Sequence, residues 1–145
     1  GYETVLVPPT LNYNQEKHVC DWSQRHVAYI AGLGTFGLNN MLITAKGCGG
    51  RIGSLITSME VPATPRPADE RCLYKARGVC SQCIKRCSGK ALTDSGYDRF
   101  ACYAYCLESA GQYPELGNHD FCGKCLTNVP CSLTDPSSSE KAETK

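Results

Sequence analysis

The pattern of apolar and polar positions in the first third of the chain predicts one short strand and one helix. Residues 4–7 form a β-prone run that stops at two prolines, so we expect a short strand there. A helix is predicted from Asp21, with Asp21 and Gln24 as a capping pair and Gly32 at its end. The apolar face of this helix would carry Trp22, His26, Tyr29, Ile30 and Leu33.

The best strand pattern of the chain covers residues 51–61, which carry Ile52, Leu55, Ile56 and Val61. Three prolines within residues 62–67 then predict a stiff connection. This boundary divides the chain into a partial α/β segment, residues 1–67, and a cysteine-rich domain, residues 68–133. The tail, residues 134–145, is rich in Ser and charge and has no large apolar side chain, so we expect it to be disordered.

Composition narrows the class of protein. A length of 145 residues allows two small modules that share one core. The apolar runs are far shorter than the roughly 20 residues of a membrane span, and the formal net charge of +1 gives no basic field for nucleic acid. Eleven cysteines are an odd number and no hydrophobic signal peptide precedes them, so we expect a reducing, cytoplasmic setting rather than a disulfide scaffold.

Nine of the eleven cysteines lie between Cys72 and Cys131. The run Cys80-x2-Cys83-x3-Cys87 matches the last three cysteines of a bacterial ferredoxin motif, in which the final cysteine binds the other of two clusters. Cys72 would be a displaced first ligand. A second run, Cys122-x2-Cys125 followed by Cys131, supplies the return half. The spacing therefore predicts two iron–sulfur clusters.

A structural zinc ion is the main alternative for paired C-x2-C units. Its ligands would be Cys80, Cys83, Cys122 and Cys125. This reading leaves four further cysteines without a role, namely Cys72, Cys87, Cys102 and Cys131. Cys20 and Cys48 lie outside both runs and are interpreted as buried, inert thiols.

The segment Gly32-x-Gly34-x-x-Gly37 formally matches a dinucleotide-binding fingerprint. That fingerprint needs a strand before it and a long helix after it, whereas the residues before Gly32 are predicted helical. We interpret the glycines as a tight turn with close backbone packing, with a cofactor contact as the alternative.

Several other polar and aromatic residues have structural interpretations. Surface or hydrogen-bonded roles are expected for His18, His26 and His119. Packing over the clusters is expected for Tyr97, Tyr103, Tyr105 and Tyr113. A solvated helix face, or else a docking patch for a redox partner, is expected for Lys85, Arg86 and Lys90.

The ordered combination of residues 31–37, residues 53–57 and the cysteine runs resembles the C-terminal part of the epoxyqueuosine reductase-like iron–sulfur proteins. These are related to the corrinoid-dependent reductive dehalogenases. The resemblance covers roughly residues 25–133 and implies an α+β fold. In that fold a small sheet-and-helix remnant of a nitroreductase-like cobalamin domain packs on a mostly helical, bacterial ferredoxin-like module.

The resemblance also implies two [4Fe-4S] clusters that relay single electrons, with cobalamin in the full-length protein. One cluster would be held by Cys72, Cys80, Cys83 and Cys131, and the other by Cys87, Cys102, Cys122 and Cys125. Cys106 lies one helical turn after Cys102 and competes with it. The implied partners are a redox donor protein and a cofactor-bearing domain upstream, while no catalytic residue is identified.

Two other functions stay open at this point. The first is a zinc-stabilised interaction module without redox activity. The second is that residues 1–67 form enough of a fold to bind cobalamin or a flavin in this chain.

Overall fold

A computed structural model describes residues 1–117 and 121–138 of the chain. The predicted role of His119 and most of the predicted disordered tail, residues 139–145, lie outside the described residues. Within the described part, four α-helices and three two-stranded antiparallel sheets form a mixed α+β architecture. No described helix combines the length and the apolar character needed to cross a bilayer.

The first sheet pairs β1 (Thr4–Leu6) with β4 (Leu55–Thr57), with Val5 opposite Ile56. The long strand predicted over residues 51–61 is wrong in extent, because only three of its residues are in β4. A strand persists only where it has a partner, and the prolines after β1 cannot continue the ladder. The apolar side chains of this sheet are exposed, up to 77% for Leu6.

The second sheet pairs β2 (Gly34–Phe36) with β3 (Leu42–Thr44) and lies at the centre of the core. Ile43 is 0% exposed, and it packs with Cys48 and Cys72. Leu126 and Cys131 complete this cluster, so the core draws on both halves of the chain. The sequence pattern did not predict either strand.

The helix predicted from Asp21 is α1 (Gln24–Ile30), and it begins later than expected. The predicted cap is wrong: Ser23 is the N-cap residue, and the Asp21 carboxylate accepts a hydrogen bond from Asn12 Nδ2 at 2.9 Å. Gln24 is held instead by Ser54, whose Oγ donates to Gln24 Oε1 at 2.6 Å. Gly32 ends the helical region as predicted, with φ of +80°.

The second half contains α2 (Leu73–Arg77), α3 (Gln82–Lys85), a hairpin of β5 (Leu92–Thr93) and β6 (Gly96–Tyr97), and α4 (Arg99–Gln112). A 3-10 turn, Pro114–Leu116, follows. Asp98 caps α4, because its Oδ1 accepts hydrogen bonds from the backbone N–H groups of Phe100 and Ala101 at 2.9 and 3.0 Å.

Candidate metal centres

Four cysteines from three separate stretches of the chain line one cavity. They are Cys72, Cys80, Cys83 and Cys131. Leu38, Ile43, Val129 and Pro136 supply much of the apolar wall. The structure thus brings together the residues that the resemblance assigns to one cluster, while iron ligation itself stays a prediction.

Short helices position the three early cysteines of this group. Cys72 is the N-cap residue of α2, and Gly78 ends that helix in the left-handed region so that the chain can turn back. Cys80 follows with φ of +74°, a conformation that non-glycine residues seldom adopt. Burial raises the pKa of the Cys83 thiol, and the nearby Cys72 and Cys80 add to the increase. The three sulfurs therefore lie within electrostatic reach of one another.

Arg71 connects the first cysteine to the central sheet. Its Nη1 donates to the carbonyl oxygens of Leu33 and Ile43 at 3.0 and 3.2 Å, and its Nε pairs with Asp135 Oδ2 at 3.1 Å. The backbone N–H of Arg71 donates to Thr35 Oγ1 at 2.9 Å. One side chain thus joins the sheet, Cys72 and the chain after Cys131. Asp135 lies in the described part of the predicted tail, residues 134–138.

The fourth cysteine of the cavity has a thiol neighbour. Cys48 Sγ lies 3.8 Å from Cys131 Sγ, and the Cys48 backbone N–H donates to the Cys131 carbonyl oxygen at 2.8 Å. The hydrogen bond between the two thiols lowers the pKa of Cys48 to about 7, against the opposing effect of burial, and Asn39 adds to the decrease. The same hydrogen bond, with burial, raises the pKa of Cys131. The two thiols therefore influence each other's ionisation.

The second group of cysteines forms around α4 and the loop after it. Burial raises the pKa of Cys125 to about 11, and the neighbouring Cys122, Cys102 and Cys87 contribute to the increase. These are the four residues that the resemblance assigns to the second cluster. Their contributions to the pKa of Cys125 indicate that they lie near it, because like charges at short range disfavour the thiolate form.

Cys106 also belongs to this second group. Burial raises its pKa to about 11, with further contributions from Cys102 and Cys122. Because Cys102 and Cys106 are four residues apart on α4, they share a helix face. The Tyr97 hydroxyl hydrogen-bonds to Cys102, and burial together with this bond raises the pKa of Tyr97.

The grouping of the cysteines separates the four residues of the zinc alternative. The zinc alternative needs Cys80 and Cys83 beside Cys122 and Cys125, but these pairs lie in the two different groups. Across residues 1–117 and 121–138, no three metal-binding side chains are placed to hold a single metal ion. A [4Fe-4S] cluster binds each thiolate through a different iron, so it fits more widely spaced sulfurs.

The glycines of the fingerprint-like segment are explained by close packing. A Cβ at Gly32 would lie 2.7 Å from the Pro65 carbonyl oxygen, and a Cβ at Gly34 would collide with the Ile43 carbonyl. At Gly37 a Cβ would lie 2.7 Å from Asn39 Oδ1. These contacts account for all three glycines without a bound nucleotide.

Of the remaining predicted residues, some pack against other protein groups and others are exposed to solvent. His18 packs on Tyr103 with ring centroids 4.7 Å apart, and His26 on Phe36 at 4.9 Å. Tyr105 touches Gly89, while Tyr113 is half exposed. Arg86 Nε donates to the Lys124 carbonyl oxygen at 3.1 Å, and Lys85 and Lys90 are exposed.

The sequence did not indicate that three further residues contact the two groups of cysteines or their neighbours. They are Asn39, Cys48 and Arg71. Cys48 is buried as predicted, at 5% exposure, and its sulfur contacts that of Cys131, a neighbour that the spacing did not predict. Cys20 is only partly buried, and its thiol donates to the Trp22 carbonyl oxygen at 3.2 Å. The available signal for Cys48 was its flanking by Gly47 and Gly49, since glycines permit close backbone approach.

Two known proteins that are similar to this chain have the same name. The chain is 32% identical over 116 residues to the epoxyqueuosine reductase of Bacillus cereus, and to the same degree to that of Bacillus anthracis. The alignment covers 74% of this chain, and the chain spans about 29% of the length of these curated relatives. No family model and no solved structure matches the chain.

Proposed function

Because the chain is related to the epoxyqueuosine reductases, we propose that it is the iron–sulfur, electron-relaying part of a corrinoid-linked reductase. Its second half would be a bacterial ferredoxin-like module for two [4Fe-4S] clusters. Its first half would be the edge of a nitroreductase-like cofactor domain. The observation that supports this most is the cavity lined by Cys72, Cys80, Cys83 and Cys131.

The residues of the chain suit this role in three ways. Two sets of thiols can each supply four thiolate ligands, and all eleven cysteines are free. The wall of the cavity around the first set is largely apolar, and such surroundings influence the reduction potential of a bound cluster. When bound, the two clusters would accept and release single electrons at these positions.

Metal content tests the proposal directly. Protein prepared without oxygen and reconstituted with iron and sulfide is expected to hold about eight iron atoms and eight sulfide ions per chain, with broad absorbance at about 400 nm. Both quantities can be measured by elemental analysis and a sulfide assay. One or two zinc ions per chain and no iron after the same treatment would refute the proposal and favour the interaction module.

The choice between Cys102 and Cys106 can be tested by matched substitutions on one helix face. Cys102→Ala is expected to lower the iron content from about eight to about four per chain, because it removes a ligand of the second group. Cys106→Ala is expected to keep about eight. The measurement is iron and sulfide per folded chain. The reverse pattern would move the ligand one helical turn along α4.

The partners are part of the same proposal. The exposed apolar side chains of Val5, Leu6, Leu55 and Ile56 on the β1–β4 sheet offer a surface on which a cofactor-bearing domain would pack. That domain, upstream in the full-length protein, would bind cobalamin and receive the electrons. A separate redox donor protein would supply them.

A further inference from the structure

The contact between Cys48 and Cys131 has a role that neither the cysteine spacing nor the relatives assign. Resting on the proposed clusters, we propose that Cys48 is a positioning residue: its thiol donates a hydrogen bond to the iron-bound sulfur of Cys131 and makes that cluster easier to reduce. Cys48 does not itself bind iron in this proposal.

The backbone fixes the two sulfurs as neighbours. Cys48 N–H donates to the Cys131 carbonyl oxygen and Gly49 N–H donates to the Ser132 carbonyl oxygen, both at 2.8 Å. A Cβ at Gly47 would lie 2.5 Å from the Ser132 carbonyl oxygen, and one at Gly49 would lie 2.9 Å from it. Only glycines on both sides of Cys48 allow this approach, so the contact between the thiols is set by the fold.

Chemistry then determines the direction of the hydrogen bond. A cysteine sulfur that ligates iron has lost its proton, so Cys131 can only accept. Cys48, 3.8 Å away, is the group that keeps a proton and can donate it. Asn39 Nδ2 lies 3.9 Å from Cys48 Sγ and donates to that sulfur, while the Cys48 thiol donates to Cys131.

The hydrogen bond between Cys48 and Cys131 is shielded from water on the side of Cys48. Cys48 is 5% exposed and Asn39 is 4% exposed, so water does not compete for either group. A hydrogen bond to a ligating sulfur withdraws negative charge from the cluster and stabilises the reduced state more than the oxidised one. The change in reduction potential should be confined to the cluster bound by Cys131. The described side-chain hydrogen bonds of Cys48 join it to Asn39 and Cys131, and none of them reaches a sulfur of the second group.

The test is a redox titration followed by electron paramagnetic resonance on the iron-loaded chain. Cys48→Ala is expected to make reduction of one cluster less favourable by about tenfold, the value of one hydrogen bond to a charged group. For one electron this corresponds to about 59 mV toward negative potential. The potential of the second cluster should not change, and the iron content should stay at about eight per chain.

Two further variants make the result decisive. Cys48→Ser keeps a donor of similar size and should restore most of the potential, whereas Cys20→Ala removes a thiol outside both groups and should leave both potentials unchanged. An unshifted potential in iron-complete Cys48→Ala would overturn the inference. So would a loss of about four iron in both Cys48 variants, since Cys48 would then be a ligand. If the unsubstituted chain binds no iron, the proposed function fails first.

Discussion

Arg71→Ala is expected to destabilise the chain by about 2–4 kcal/mol, because it leaves two carbonyl oxygens and one carboxylate without their partner. The ion pair with Asp135 is largely shielded, with the two side chains 17% and 16% exposed. For a protein of this size the thermal midpoint should fall by on the order of 10 °C. Differential scanning calorimetry or circular dichroism on the iron-loaded chain would measure it.

The same substitution should weaken the first metal centre, because the Arg71 side chain ties the residue before Cys72 to the carbonyl oxygens of Leu33 and Ile43. Iron content is expected to fall toward about four per chain. Arg71→Lys keeps the charge but loses the planar fork, so its effect should be intermediate. Lys75→Ala, an exposed change on the neighbouring helix α2, is the matched control and should change neither quantity. An Arg71→Ala protein with an unchanged midpoint would contradict this account.

Complete removal of iron under anaerobic conditions is expected to unfold most of the cysteine-rich half. Within the described residues nine apolar side chains are buried, and three of these are cysteines. Helix α4 buries little apolar surface. Phe100 and Leu107 are about half exposed, and its single buried residue is Cys106. Metal ligation is therefore expected to supply most of the folding free energy of this region.

Hydrogen exchange of the backbone amides would measure this loss. Amides of α4 should exchange at nearly unfolded rates after chelation, whereas those of β2 and β3, around the fully buried Ile43, should keep more protection. The control is the same chelator with iron added back, which should restore protection. Equal protection of α4 before and after iron removal would show that the helix packs without metal.

The sequence predicted the parts of the fold that depend on local chemistry. The left-handed Gly32 after α1 and the short strand before two prolines follow from backbone preferences of single residues. The two groups of cysteines could likewise be proposed, because short spacings keep Cys80 and Cys83 close whatever the rest of the chain does.

Features that depend on distant partners could not be predicted in this way. Strand β4 is short because β1 offers it only three partners, and the strand around Ile43 exists because Gly34 allows a close neighbour. Asp is a residue type that often caps helices, yet the Asp21 carboxylate accepts a hydrogen bond from Asn12 instead. The contact of Cys48 with Cys131 joins residues 83 positions apart, and local spacing carries no information about it.

Buried Asn39 lines the cavity of the first group of cysteines and contacts a residue of the second group. Its Nδ2 donates to the Cys125 carbonyl oxygen at 2.9 Å and lies 3.9 Å from Cys48 Sγ. Filling either centre would fix this side chain, so the second centre would lose less conformational entropy when it fills. Assembly of the two centres should therefore be cooperative, and half-loaded chains should be rarer than independent filling would produce.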